Sequence, residues 1–372
     1  MFGLFVPANL FSQLTVKLVK VRVVKGVSSV TISFNGNYFF LDPESGSRYP
    51  LKNNSNYIFE SDGKKILFGG RVFRSGIRAI AENSEGSFRI NNHRYRGTLI
   101  LVSNSKGLNA INEIDVEQYL YGVLPKEVIP SWPKEALKAQ AVISRTYALR
   151  SMSNHANEGF DLCNETHCQV YGGLDAEYER TNEAVNETRG DVLFYEGKLA
   201  STFFHDSCGG HTENVENVWG MKAPEYLRGR SVKYANSPKK DFWKNRLSED
   251  FIRKKLEANG YRTGEIKKIK ISGRSSSGRA KNLKIYGEDK TIEINAARFR
   301  VMVDAWNIRS TLFKSISKQG GYFEFSGFGW GHGVGLCQQS ARNMAQKGFR
   351  YEKILAYFYP GTYLAKWDEQ EK

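Results

Sequence analysis

Cysteine and histidine are scarce in this chain, with four and six residues among 372. So few cysteines exclude the dense disulfide framework of a small secreted module, and a chain of this length must rely on packed cores. No apolar run approaches the ~18 residues that a membrane-crossing helix needs. Several catalytic signatures are also missing: there is no G-x-S-x-G elbow, no H-E-x-x-H, and no clear Ser-His-Asp order. Acid is in short supply as well. Lys and Arg number 54 against 39 Asp and Glu, a formal net charge of +15 concentrated between residues 222 and 300. Such a surplus points to an anionic partner, whether nucleic acid, a membrane surface or an acidic wall polymer, or else to a solvated face. No nucleic-acid module accompanies the charge, which sets that partner aside.

What is present is an aromatic-rich, alternating texture. Aromatic residues make up 13% of the chain, a mix typical of β structure and of carbohydrate or ligand grooves. Residues 14–110 read as short strands such as "VKLVKVRVV" and "SVTISFNG", broken by Asn-Gly, Pro-Glu-Ser-Gly and Asp-Gly turns. The opening "MFGLFVPANLFSQ", residues 1–13, reads either as a signal or anchor remnant or as the approach to an ordinary first strand near Leu14. Helical patterns begin after residue 110. Asp115 is placed to cap a short helix over 116–121, and Ser131 a second, with Pro133 in its first turn. The expected organisation is α+β: a β-rich region at 14–110, a helical region with Cys and His at 111–220, a basic α/β insertion at 221–310, and a glycine-rich strand with two helices at 311–372.

Four groups of residues carry candidate chemistry. Glu127, in "LPKEVIPSWP", has apolar neighbours that would raise its pKa and suit it to donate a proton, or it is a surface carboxylate on a loop before a helix. Arg145 sits on a mostly apolar helix and needs a carboxylate such as Glu127 or an anionic ligand, while Gln140 shares that helix. His155, Cys163, His167 and Cys168 form H-x7-C-x3-H-C, which suits tetrahedral Zn²⁺ but equally a disulfide or two free thiols. The loop with His205, Cys208 and His211 admits a second metal reading or the presentation of groups to a ligand. Finally, "GFGWGHGVGLCQQSA" has glycine at every second position from 327 to 335. Read as a strand, it places Phe328, Trp330, His332 and Val334 on one face and leaves the other bare for a backbone or a flat ligand. Cys337, just beyond, reads as a buried structural cysteine.

Three stretches taken together, "NEIDVEQYLYGVLPKEVIPSWPKEALKAQAVISRTYAL", "FFHDSCGGHTENVENVWG" and "GFGWGHGVGLCQQSARNMAQKGFRYEKILAYFYPGTYL", resemble the stage II sporulation protein D family of bacterial cell-wall enzymes, which includes amidase enhancers. The resemblance runs from about Tyr95 to Tyr363 and is weakest across the basic region. It implies a peptidoglycan lytic transglycosylase, acting outside the cytoplasm on glycan strands, preferentially those stripped of stem peptides. By it, Glu127 is the single acid/base, Arg145 a groove residue, and the bond cleaved is that between N-acetylmuramic acid and N-acetylglucosamine, leaving a 1,6-anhydro end. Gln140, His332 and Trp330 are the further substrate-binding candidates. The set His155, Cys163, His167 and Cys168 is similar to the zinc site of sporulation members, which implies structural Zn²⁺. The alternatives are a non-catalytic glycan-binding amidase enhancer, with the basic half on an anionic wall polymer or membrane surface, and a zinc hydrolase. Cys208 and Cys337 depart from the family, whose members usually carry serine or another small residue there, and no function attaches to either.

Overall fold

Apolar and polar residues alternate through the first hundred positions, and that alternation becomes sheet. The computed structural model describes residues 16–369 other than 75 and 84, so the opening 1–13 lies outside the described residues. The chain divides into two compact units, one holding the residues up to Glu127, Ala148–Val192 and the end from Ala365, the other holding Val128–Tyr147 and Leu193–Leu364. Among the described residues no helix is long and apolar enough to cross a membrane.

The first unit contains a seven-stranded and a six-stranded sheet. In the seven-stranded sheet Leu18–Val27 pairs antiparallel with Gly107–Asp115, which pairs in turn with Thr98–Asn104. At one edge, Leu162–Cys163 adds in parallel to Leu18–Val27, with Val21 opposite Leu162 and Arg22 opposite Cys163. That edge fixes one cysteine to the sheet. In the six-stranded sheet Ser29–Asn35 alternates as expected, burying Val30, Ile32 and Phe34. Phe34, Phe40 and Phe59 meet edge to face at 5.2 to 5.6 Å, a geometry that aromatic quadrupoles favour.

The second unit is mixed. Phe242–Ser248, Tyr322–Phe328 and Phe313–Gln319 form one three-stranded sheet, and Ile266–Arg274, Ala280–Gly287 and Thr291–Asn295 form another. Leu283, Ile285, Phe299, Phe323 and Phe325 are buried in one core there, while Val142, Ile143, Leu336, Ile354 and Phe358 make a second. The combination of helices with antiparallel sheets is the α+β class expected.

Helix α1 spans Val116–Glu127 and α2 spans Lys134–Arg150. Asp115 caps α1 as expected, its Oδ1 accepting from the N–H groups of Glu117 and Gln118 at 3.0 and 3.4 Å. The helix runs six residues past the expected end at 121, carrying Gly122 and Pro125 inside it. Burial overrides both breakers: Tyr119, Leu120, Val123 and Leu124 continue one fully buried face. Gly122 is required, since a Cβ there would lie 2.6 Å from the Tyr171 ring and 2.9 Å from the Gly173 carbonyl. For α2 the first helical carbonyl is that of Pro133, which accepts from Ala136 and Leu137. Ser131 is thus not the cap; Trp132, preceding proline, is biased out of the helical region and delays the start.

The glycine run is not a strand. Tyr322–Phe328 ends the extended segment, and Gly329, Gly331, Gly333 and Gly335 have φ of +74°, +108°, +88° and +71°. A chain in that conformation has no period-two faces, so the expected single face of Phe328, Trp330, His332 and Val334 does not form. The bare positions meet another segment of chain. Added Cβ atoms would fall 2.6 Å from the Ser207 carbonyl oxygen, 2.7 Å from the His205 Cβ, 2.6 Å from the Arg279 guanidinium carbon and 2.0 Å from the Phe203 carbonyl oxygen, respectively. Gly335→Ala therefore combines a left-handed φ with a backbone clash, and is expected to destabilise the chain by roughly 3 kcal/mol or more in thermal or denaturant unfolding. Gly348→Ala, with φ +85° but nothing near its Cβ, is expected to lose about 1 kcal/mol.

Candidate functional site

Glu127 is the last residue of α1, not part of a loop before α2. Its side chain is partly buried and accepts a hydrogen bond from the Val170 backbone N–H. Burial outweighs that bond and pushes the carboxyl up to about 7. A carboxyl balanced between its two forms near neutral pH can both give and recover a proton.

The segment that supplies Val170 is strapped to α1. Gly172 donates its N–H to the Gly122 carbonyl at 3.0 Å, the Tyr119 hydroxyl donates to Gln169 Oε1 at 3.3 Å, and the Tyr171 hydroxyl donates to Asn112 Oδ1 at 2.9 Å. Immediately before this strap come the four metal-ligand candidates. The structure brings all of them together, with one donor atom from each of His155, Cys163, His167 and Cys168 within 4.8 Å of the others. Cys163 lies on the edge strand, and its N–H donates to Cys168 Sγ at 3.3 Å. Cys168 Sγ lies 3.5 Å from His155 Nε2 and 3.5 Å from His167 Nδ1. His155 Nδ1 lies 2.8 Å from Glu158 Oε1, an acceptor, so Nδ1–H donates to the carboxylate and Nε2 keeps its lone pair toward Cys168 Sγ. Two thiols and two imidazoles with a carboxylate orienting one ring fit a tetrahedral d¹⁰ cation with no open position. The adjacency of His167 and Cys168 is accommodated by a tight turn, in which Cys168 N–H donates to the Glu165 carbonyl at 3.1 Å.

The other candidates belong to the second unit. Gln140 and Arg145 are 1% and 0% exposed on α2; Gln140 accepts from Gln338 Nε2 at 3.2 Å and its own amide faces Ser144 Oγ at 3.3 Å. Trp330 and His332 separate. Trp330 meets the edge of Trp306 at 5.0 Å and carries the Arg309 guanidinium over its ring at 4.6 Å. Trp306 is 73% exposed, an unusual place for so large an apolar side chain. His332 packs at 4.9 Å from Trp219, and its Nδ1 accepts from the Val334 N–H at 3.0 Å. It lines a cavity of about 430 Å³ with Val218, Trp219, Val301 and Met302. Burial, then the neighbouring His205 and Arg300, push the imidazole well below its ordinary value, so it is neutral.

Four groups at these places were not singled out from the sequence. Glu158 was legible as the third residue after His155, Trp306 as a tryptophan in a polar loop, and Trp219 as the tryptophan that ends the short helix Val215–Trp219. The Val170 N–H carries no side-chain signal at all.

Comparison with known proteins adds five findings. The family model described as stage II sporulation protein matches residues 104–195, and a domain of unknown function matches residues 231–335. An uncharacterized protein of Brachyspira hyodysenteriae is 34% identical over 95% of each chain. The amidase enhancer of Bacillus subtilis is 30% identical over 87% of this chain and 50% of its own length, and the stage II sporulation protein D of the same organism is 28% identical over 70% and 77%.

Proposed function

The chain belongs to the stage II sporulation protein D family, and from that premise we propose that it acts on the bacterial cell wall as a lytic transglycosylase of peptidoglycan glycan strands, with Glu127 as sole acid/base. The observation that carries this reading is the Glu127 carboxyl at the end of α1, held by the Val170 N–H and pushed up to about 7 by burial. In its acid form it protonates the glycosidic oxygen, and the bond from N-acetylmuramic acid C1 to that oxygen breaks. The carboxylate then takes the proton of the muramic 6-hydroxyl as O6 bonds to C1, closing the 1,6-anhydro ring and returning Glu127 to its acid form. The nucleophile lies within the substrate, so no water is consumed and the second carboxylate of an ordinary glycosidase is not needed.

The Cys/His cluster is assigned Zn²⁺ as a structural ion that holds the segment leading to Val170. Within the second unit, Trp306 and Trp330 are assigned to stack sugar rings and His332 to line a sugar-binding cavity, while Gln140 and Arg145 are buried on α2. The location is extracytoplasmic, where the substrate is. The partners are glycan strands, a cell-wall amidase, and an anionic wall polymer or membrane surface met by the basic region.

Because the first step needs the acid form, turnover on denuded strands is expected to fall as pH rises through about 7, and a pH–rate profile checks this. Loss of that limb, with activity flat from pH 5 to 9, would remove Glu127 as the acid. Trp306→Ala is expected to raise half-saturating glycan by roughly tenfold, about 1–2 kcal/mol of lost stacking, with turnover at saturation unchanged.

A second reading is favoured by one finding, the 30% identity to an amidase enhancer. In it the chain binds glycan and stimulates an amidase without cleaving sugar. Product analysis of strands treated with this chain alone separates the two: anhydro ends support the first, intact strands the second.

A further inference from the structure

The second group of soft ligands has no part in the chemistry above. His205 and Cys337 face each other across a parallel pair of short strands, Phe204–His205 and Leu336–Cys337. Cys208 follows three residues later, before the Gly209-Gly210 turn. His205 is 4% exposed and both cysteines 0%, and one donor atom from each lies within 4.8 Å of the other two.

The decisive atom is His205 Nε2. His205 Nδ1 lies 3.1 Å from the Val334 carbonyl, an acceptor, so Nδ1 carries the proton and Nε2 presents a lone pair. That nitrogen is buried and has no hydrogen-bond partner; one ring nitrogen of His205 lies within 4.8 Å of both sulfurs, and with Nδ1 taken by the carbonyl it is Nε2 that is free to bind. Cys337 Sγ accepts from the Cys208 N–H at 3.3 Å and from the Ser340 hydroxyl at 2.9 Å, the pattern of donors that steadies a metal thiolate. Cys337 is also the residue that begins the helix Gln338–Gln346, whose N-terminal dipole favours negative sulfur.

We propose that His205, Cys208 and Cys337 form a second, fully buried site for a thiophilic d¹⁰ cation, Zn²⁺ or Cu⁺. A Cys208–Cys337 disulfide would consume the sulfurs and leave His205 Nε2 an orphaned buried acceptor, whereas one cation satisfies all three atoms. Zn²⁺ with two thiolates and one neutral imidazole gives a cluster of no net charge, the cheaper form to bury. The surroundings brace it. Arg279, itself fully buried, donates to the carbonyls of Cys208 and His211 at 2.7 Å each, and Gly331 and Gly333 let the covering backbone approach His205 and Arg279. The glycine run thus closes over the cluster. The proposal does not depend on the transglycosylase reading, since its readout is metal and not sugar.

Zinc-edge anomalous scattering from crystals of the full chain, prepared with zinc and without chelator, should show a peak among the three donor atoms. In solution, native mass spectrometry should find one metal fewer in Cys208→Ser/Cys337→Ser than in the wild type, whether or not the His155 cluster is filled. Parallel loading with zinc and, anaerobically, with Cu⁺ separates the two cations. Equal metal content in the folded wild type and variant would overturn the proposal, as would a chain lighter by two hydrogens with a mapped Cys208–Cys337 bond. If the variant does not fold, the anomalous map of the wild type decides by itself.

Discussion

Glu127→Gln is expected to lower release of 1,6-anhydro products by about a thousandfold, within the range general acid–base groups supply, while leaving the fold intact. The amide keeps an oxygen for the Val170 N–H but cannot give or take the proton. The same change should stabilise the chain in alkali. A carboxyl raised from 4.5 to about 7 on folding stabilises the folded state fully below the unfolded value and loses that contribution as pH rises through about 7. Above that point the wild type carries a charge that burial disfavours, and glutamine removes it. The gain is expected at about 1–3 kcal/mol at pH 8–9 and near zero at pH 4, read from urea unfolding at both. An inactive variant that is also more stable in alkali would mark Glu127 as strained for function. An inactive variant less stable at every pH would instead mark it as structural.

The second large effect concerns the Cys/His cluster. Cys168 lies two residues before Val170, the donor to Glu127, and the intervening Gln169 is held by Tyr119 of α1. Under the assignment of a structural ion, its removal would free the donors of four side chains at once and slacken that strap. Cys163→Ser/Cys168→Ser is expected to expose the amides of 162–171 to hydrogen exchange and to lower turnover about tenfold to a hundredfold, the loss that follows small misplacement of a catalytic group. Chelation of the wild type should do the same, and added Zn²⁺ should restore the wild type but not the variant. Unchanged exchange across 162–171 after chelation would mean that the cluster does not hold the strap. Complete and reversible loss of activity with the strap still protected would favour a catalytic ion.

Much of this arrangement is legible in the residues themselves. Period-two alternation marks the strands of the first unit because each sheet buries one face. The soft-ligand spacing at 155–168 marks the cluster because few other patterns place two thiols and two imidazoles so near in a chain with four cysteines. Two things were not legible. The length of α1 depends on burial of Val123 and Leu124, a tertiary term that outweighs the local signals of Gly122 and Pro125. The glycine run obeys a spacing rule that suits a strand, yet its φ values follow from the carbonyls of Ser207 and Phe203 packed against it, more than a hundred residues away in sequence. The role proposed for Glu127 rests on the faintest local signal of all, because a single carboxylate among 39 acidic residues is distinguished only by its surroundings.

The measurement that bears most directly on the proposed activity is mass spectrometry of denuded glycan strands after incubation with metal-loaded wild type and with Glu127→Gln. Products with 1,6-anhydro ends from the wild type, and none from the variant, are expected. Anhydro products from both would show that another group is the acid. Strands bound but left whole by both would contradict the transglycosylase reading and leave the chain a glycan-binding partner of an amidase.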